Sequence, residues 1–436
     1  MATATPAKTP DEELQAPPSD GVSCVRFGSR SNLLVSSWDA TLRVYDGARL
    51  RTRVDLEAPV LSCCYGQGDC EAFAGGLDCA VKQIDLVTRQ VSATLGTHAA
   101  AVRHVGYSKE FGLAVSGGWD GAVKVLDVRS GGGAQIHATQ VPGKVFGLDV
   151  RAHVLAVASS ERQLAVFDLR NFSQPIMQKE SPLKYQVRCV SVFPDLQGVA
   201  LGSVEGRVAL EYLEDDAQEP HAQDKKKRSY AFKCHRGKVD DQTLIYPVNC
   251  VAFHPTYGTF ATGGCDGIVT LWDGANKKRI THLRQYPTSI AAMDFNHDGS
   301  VLVVAASYTY EQGEKDHPND AIFLHTVQDS EAHLLRLMVE VGVQDAHEFL
   351  QYASLFQVWI RPPMFTLLMH SELRGIDLVL SRRKVLIVLI VESGEVMNPF
   401  QLTGITSLIR WRSVTKLAML ADGSSVVTWC TKRYPL

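Results

Sequence analysis

Five cationic side chains gather in one stretch of the 436-residue chain: Arg188, Arg207, Lys233, His235 and Arg236. Arginine offers paired, charge-assisted hydrogen bonds that match carboxylate and phosphate oxygens. Three aromatic residues, Trp38, Trp119 and Tyr185, are the partners such a set needs, because they supply desolvated contact area beside the charges. The chemistry this predicts is the gripping of an anionic peptide, not bond making. Phosphate-binding glycine loops, the Gly-x-Ser-x-Gly elbow and His-Glu-x-x-His are all missing from the sequence. His347-Glu348 is half of the last motif, without its second histidine. No Cys/His spacing resembles a zinc site, so neither metal nor cofactor is expected, and the chain reads as a non-enzyme. His98 is the most tempting single ligand, but it is expected to bond the turn carboxylate of Asp120 instead.

These residues need a scaffold, and the sequence supplies a repeat. Small residues, an acidic turn, an alternating strand and a polar stop recur, with turn acids at 39, 78, 120, 161, 205 and 266. The intervals are 39, 42, 41, 44 and 61 residues, and each copy ends seven positions after its acid. An alternating strand precedes each copy: Val22–Phe27, Val60–Tyr65, Val102–Tyr107, Val145–Val150, Val187–Phe193 and Val248–Phe253. A seventh, Ile290–Phe295, leads into Val301–Ala306 and Ala321–Val327. Four short strands every forty residues, seven times, predict an all-β, seven-bladed WD-repeat β-propeller with an atypical C-terminal extension. The expected organisation is a flexible N-terminus over 1–14, the propeller over 15–328 and an extension of unknown fold over 329–436. Residues 12–16 are expected to supply the outer strand that blade seven lacks.

The long interval marks blade five as irregular. Its excess holds Glu214-Asp215-Asp216 and Lys225-Lys226-Lys227-Arg228; the basic run reads as a solvated loop or a nuclear-import signal. Blade geometry sends the connection into an inner strand and the turn between the second and third strands to one rim. Arg188, Arg207, Lys233, His235 and Arg236 should therefore converge there, on the face that also carries Trp38 and Trp119. Arg188 and Arg207 carry the functional expectation, since neither has an obvious local partner.

Composition is consistent with a folded scaffold. Apolar residues make up 45% and charged residues 21%, and the formal charge is only −3, which excludes a surface built wholly for nucleic acid or anionic membrane. No apolar run approaches the length of a membrane helix; Val385–Val391 is the nearest. Residues 1–20 lack the apolar core of a secretory leader, and most cysteines, among them Cys24, Cys63, Cys189 and Cys250, lie inside apolar runs, so they read as buried hydrophobes of a reducing compartment. In the extension, 332–356 reads as helical, Val385–Val391 as a strand and Val414–Thr428 as a hairpin.

Several phrases lie outside the generic repeat. They are Lys184-Tyr185-Gln186-x-Arg188-Cys189, Glu205-Gly206-Arg207-Val208-Ala209, Tyr230-Ala231-Phe232-Lys233-Cys234-His235-Arg236, Tyr246-Pro247-Val248-Asn249 and Tyr286-Pro287-Thr288-Ser289-Ile290. With Ser36-Ser37-Trp38-Asp39 they resemble the Bub-three family of mitotic checkpoint proteins over residues 15–328. The chain departs from the family pattern at Leu126, Ser160-Glu161 and Val187. The resemblance implies a spindle-checkpoint adaptor of nucleus, kinetochore and cytoplasm. Its implied partners are GLEBS-type acidic peptides of Bub/Mad-type checkpoint kinases and phosphorylated MELT repeats of a kinetochore scaffold, with no membrane and no direct nucleic acid. It implies further that Arg188 and Arg207 meet GLEBS carboxylates and that Lys233 and Arg236 meet phosphate. The sister family of Rae/Gle-type mRNA export factors shares fewer of the phrases; it implies the alternative, binding of nuclear-pore GLEBS segments and RNA.

Overall fold

The computed structural model describes residues 11–130, 133–213, 229–240 and 242–332, together with the backbone of seven strands between 336 and 429. Contacts divide the chain into two units, 1–328 and 329–436.

The first unit is a ring of seven four-stranded antiparallel sheets. The inner strands are Val22–Phe27, Val60–Tyr65, Val102–Ser108, Val145–Arg151, Val187–Val192, Val248–Phe253 and Ile290–Phe295, each packing on the next and the last on the first. Each middle strand is sandwiched between neighbouring blades, so Leu113–Gly118, Val154–Ser159 and Gly198–Ser203 are buried along their whole length. Outer strands such as Arg49–Asp55 alternate toward solvent instead. The core follows from this layout. Seven hydrophobic clusters fill the seven seams between adjacent blades; one joins Leu34, Leu42 and Val44 of blade one to Val60, Cys63 and Ile84 of blade two.

Every inner strand carries a bulge at its second residue. The bulge residue is skipped by the ladder, which re-aims its side chain. The seven are Ser23, Leu61, Arg103, Phe146, Arg188, Asn249 and Ala291.

Blade seven takes its outermost strand from the start of the chain: Glu12 pairs with Leu324 and Glu13 with Phe323. Asp11 anchors this strand, accepting from His325 Nδ1 at 2.7 Å, Arg284 Nε at 2.8 Å and the Tyr286 hydroxyl at 2.8 Å. Farther along, Arg43 Nη1 donates to the carbonyls of Ala16 and Pro17, which ties the segment to blade one.

Blade six has an extra hairpin, Arg236–Val239 with Gln242–Ile245, between its entry at His235 and its inner strand. The basic run 225–228 and the acids 214–216 lie outside the described residues.

The second unit contains one antiparallel sheet in the order Ile360–Arg361, Met364–Leu367, Ile376–Ser381, Lys384–Ile390, Arg336–Val341, Lys416–Ala421, Ser425–Trp429. Lys384–Ile390 takes up the apolar run expected to be a strand, and Lys416–Ala421 and Ser425–Trp429 form the expected hairpin. The helical expectation for 332–356 is corrected where the described residues test it: Asp329–Ala332 is helical but Arg336–Val341 is a strand, and 333–335 and 342–356 lie outside the described residues. A short apolar run fits either period, and here sheet pairing decided the outcome.

Candidate functional site: a cationic sector on the turn rim

The rim is set by register. Val187 pairs with Ser203, so the inner strand of blade five begins beside the Ser203–Arg207 turn. Arg207 pairs with Lys233 across the third and fourth strands at the same end. Gly206 makes the turn possible: its φ is +62°, and a Cβ there would stand 2.8 Å from the Cys234 carbonyl oxygen and 2.9 Å from that of Tyr246. The turn thus rests on the base of the extra hairpin, which closes through the Tyr246 N–H donating to the His235 carbonyl at 3.0 Å.

Glu205 organises the cations. Its carbonyl accepts from Arg236 Nη2 at 3.0 Å, one carboxylate oxygen accepts from the Lys184 N–H at 3.2 Å, and the other stands 3.5 Å from Arg207 Nε. The expectation that Arg207 lacks a local partner is therefore corrected. Its Nε nevertheless makes no hydrogen bond, nor does Arg236 Nε, although both atoms are buried. Arg188 fits the expectation: half-buried on the channel side of the blade, its guanidinium makes no hydrogen bond or ion pair among the described residues. Lys233 and Tyr185 are exposed.

His235 does not belong with them. Its side chain is fully buried, Nδ1 lies 2.9 Å from Asp266 Oδ1, and Nε2 lies 2.9 Å from Thr262 Oγ1. Trp272 Nε1 donates to the same Thr262 hydroxyl at 2.9 Å. Both ring nitrogens are consumed in locking blade six, so none is left for a ligand. His98 does the same work in blade three, bonding Asp120 at 3.0 Å and Ser116 at 2.9 Å, as its position before an inner strand predicts. Burial alone would raise the Asp120 carboxyl; the bonds from His98 and the Ala99 and Ala122 N–H groups hold it below the usual range. Asp120 is thus a fixed anion, not a general acid.

The aromatic residues occupy equivalent turns of other blades. Trp38 is 42% exposed, with Leu77 at the same turn position of blade two at 37%. Trp119 is half-buried; its Nε1 has no partner and Lys144 Nζ stands 5.7 Å over its ring. These turns of blades one to three therefore set an apolar side chain beside each turn acid, while blade five gathers cations. A cleft of about 290 Å³ continues the rim between blades six and seven, lined by Tyr246, Gln285, Thr288, Glu311, Lys315 and His317 among others. Two further rim cations escaped the sequence reading. Arg162 donates to the Lys184 carbonyl at 2.9 Å and pairs with Glu180, while Lys144 covers Trp119. Each sits at a turn or inner-strand entry, the signal that singled out Arg188 and Arg207. Among the described residues no group of three acidic, Cys or His side chains is placed to hold a metal, and the nine cysteines are unpaired.

Comparison with known proteins separates the kinds of seven-bladed ring. The WD domain, G-beta repeat family matches residues 9–46, 89–127 and 228–273. The solved WD40 repeats of RRP9 superpose with a TM-score of 0.60 at 15% identity, covering 73% of this chain and 97% of that one, which concerns the fold alone. The mitotic checkpoint protein BUB3.1 of Arabidopsis thaliana is 46% identical over 337 residues, 76% of this chain and 96% of the relative. This chain belongs to the Bub3 family of mitotic checkpoint proteins. A second member, the mitotic checkpoint protein bub3 of Dictyostelium discoideum, is 43% identical over 72% of this chain and 94% of its own length. Protein RAE1 of Arabidopsis thaliana follows at 34%, as expected of a sister group. Bub3-family WD40 propellers are of the scaffold type.

Proposed function

We propose that this Bub3-family propeller is a non-enzymatic adaptor of the spindle assembly checkpoint, acting in the nucleus and at kinetochores in mitosis. Its turn rim takes GLEBS-type acidic peptides of Bub/Mad-type checkpoint kinases and phosphorylated MELT repeats of a kinetochore scaffold. The observation that carries the reading is the Arg188 guanidinium at the start of the blade-five inner strand, which has neither hydrogen bond nor ion pair among the described residues, on the blade that also carries the half-satisfied Arg207. A half-exposed guanidinium without a protein acceptor keeps its paired donors available for the oxygens of a ligand. In this reading Trp38, Tyr185 and Trp119 give the same ligand apolar anchors, and Lys233 and Arg236 meet its phosphate.

Calorimetric titration with a synthetic GLEBS peptide tests this. Arg188→Glu and Arg207→Glu should each abolish binding while leaving the unfolding midpoint in place; unchanged affinity in both refutes the assignment. An mRNA-export role rests on the 34% identical relatives, including the mRNA export factor GLE2 of Chaetomium thermophilum. Co-purification of RNA with a nuclear-pore segment, and not with a checkpoint kinase, would select it.

A further inference from the structure

The turn between the second and third strands takes three residues in each of blades one to six, from 38–40 to 265–267, but fourteen in blade seven, 307–320. Loops of this size that pack on themselves frequently carry function. This one does pack on itself. The Tyr308 hydroxyl donates to the Gly313 carbonyl at 2.8 Å and accepts from the Gln312 N–H at 3.1 Å, and the rings of Tyr308, Tyr310 and His317 lie together. Tyr310 holds a φ of +57°, a left-handed conformation that is costly for a bulky residue, and its side chain is 60% exposed.

The loop walls the cleft between blades six and seven and sets Glu311 into it. Both carboxylate oxygens are oriented: Oε1 accepts from the buried Ser289 hydroxyl at 2.8 Å, and Oε2 from the Thr309 hydroxyl at 2.8 Å. Thr309 Oγ1 in turn lies 3.5 Å from Cys265 Sγ, which ties the loop to the blade-six turn. Hydroxyl donors fix a carboxylate without neutralising it, and each oxygen keeps a further lone pair. Glu311 makes no ion pair among the described residues. The loop's own lysine is committed elsewhere: Lys315 Nζ donates to Gln312 Oε1 at 2.6 Å and stands 4.8 Å over the Tyr308 ring. Pro287 and Pro318 line the same cleft and suit the methylene stem of a long cationic side chain. Blade five gathers Arg188, Arg207 and Lys233 on its rim, whereas the blade-seven loop carries Glu311, Glu314, Asp316 and Asp320 against Lys315 alone. A rim with that polarity matches a ligand whose charges run the opposite way.

We propose that this cleft takes a lysine or arginine side chain of the docked peptide with Glu311 as its counter-ion, so that the peptide lies with its acidic part over blade five and a basic residue over blade seven. The peptide rests on the adaptor reading, but the cation chemistry is testable alone. N-acetyl-arginine amide at millimolar concentration should give a saturation-transfer NMR signal with the full chain. Glu311→Gln, which keeps an acceptor for the hydroxyls, should remove that signal. Glu314→Gln, an equal change of charge on the same loop but outside the cleft lining, should retain it. In calorimetry Glu311→Gln should lower the affinity for the GLEBS peptide about fivefold, the upper end for one partly exposed ion pair. Replacing the peptide's basic residue by norleucine should lower it equally, and the two changes together should lose little more. An NMR signal that is absent from the wild type or survives Glu311→Gln, or a peptide affinity in that variant within about twofold of wild type, overturns the site. The adaptor reading survives that result if Arg188→Glu still abolishes peptide binding. Conversely, a signal that depends on Glu311 in a protein binding no acidic peptide upholds the cation site and removes the adaptor reading.

Discussion

Arg207 Nε stands 3.5 Å from the Glu205 carboxylate, inside the same turn and without a hydrogen bond. The contact holds the guanidinium in place and also competes with any carboxylate arriving from solution. Glu205→Gln keeps an acceptor for the Lys184 N–H and removes the competing charge. Affinity for an acidic peptide should rise about threefold, the scale of one partly exposed ion pair. Calorimetry on this variant beside Arg207→Glu reads both directions of the effect.

The blade-six lock separates structure from binding. His235→Ala leaves Asp266 and Thr262 without their shared partner and should cost about 2–4 kcal/mol in denaturant unfolding. Peptide affinity measured well below the unfolding midpoint should stay within about twofold of wild type. A large affinity loss in a stable His235→Ala protein would return this histidine to the ligand site.

Two buried carboxylates give opposite pH signatures. Hydrogen bonds from His325, Arg284 and Tyr286, outweighing burial, lower Asp11 to about 2. Its contribution is therefore complete above the ordinary carboxylate value of about 4 and drains away as pH falls toward 2. Burial raises Asp294 to about 6, opposed by Arg26. Its ionisation costs stability as pH climbs from 4 through 6, by roughly 2 kcal/mol. Urea unfolding across pH 2–7 should lose the acid-side slope in Asp11→Asn and the slope between pH 4 and 6 in Asp294→Asn.

The aromatic anchors should divide by burial. Trp38→Ala removes a side chain that is 42% exposed and should weaken peptide binding by about 1–2 kcal/mol with little change in stability. Trp119→Ala, half-buried under Lys144, should lower both. Paired calorimetry and thermal unfolding check this; equal stability losses in the two variants would contradict it.

The blades were legible in the sequence because every seam between them makes the same demand. A sandwiched strand such as Leu113–Gly118 must be apolar or small throughout, and a turn acid must close each copy. The rim was legible in part. Arg188 was found through its place at an inner-strand start, yet Arg103 holds the same place in blade three and passed unnoticed. Its slot is filled by Ser, Leu, Phe, Asn and Ala elsewhere, so only the register of all seven bulges reveals that the two positions are equivalent. His235 was misassigned for a reason of spacing. His98 lies four residues before Val102, whereas the extra hairpin pushes His235 thirteen residues from Val248, which hides an identical role. Glu205 was visible two residues from Arg207, but side-chain approach across a tight turn is not written in residue order.

The pairing of Glu12 with Leu324 has a bearing on biosynthesis. A nascent chain leaving the ribosome can assemble its early sheets one after another, but the opening residues have no partner until the last blade has been made. The circle shuts only then, and until that moment the seam between blades seven and one stays exposed to chaperones. A bulky fusion set directly ahead of Asp11 would burden that late step more than it would burden any single blade.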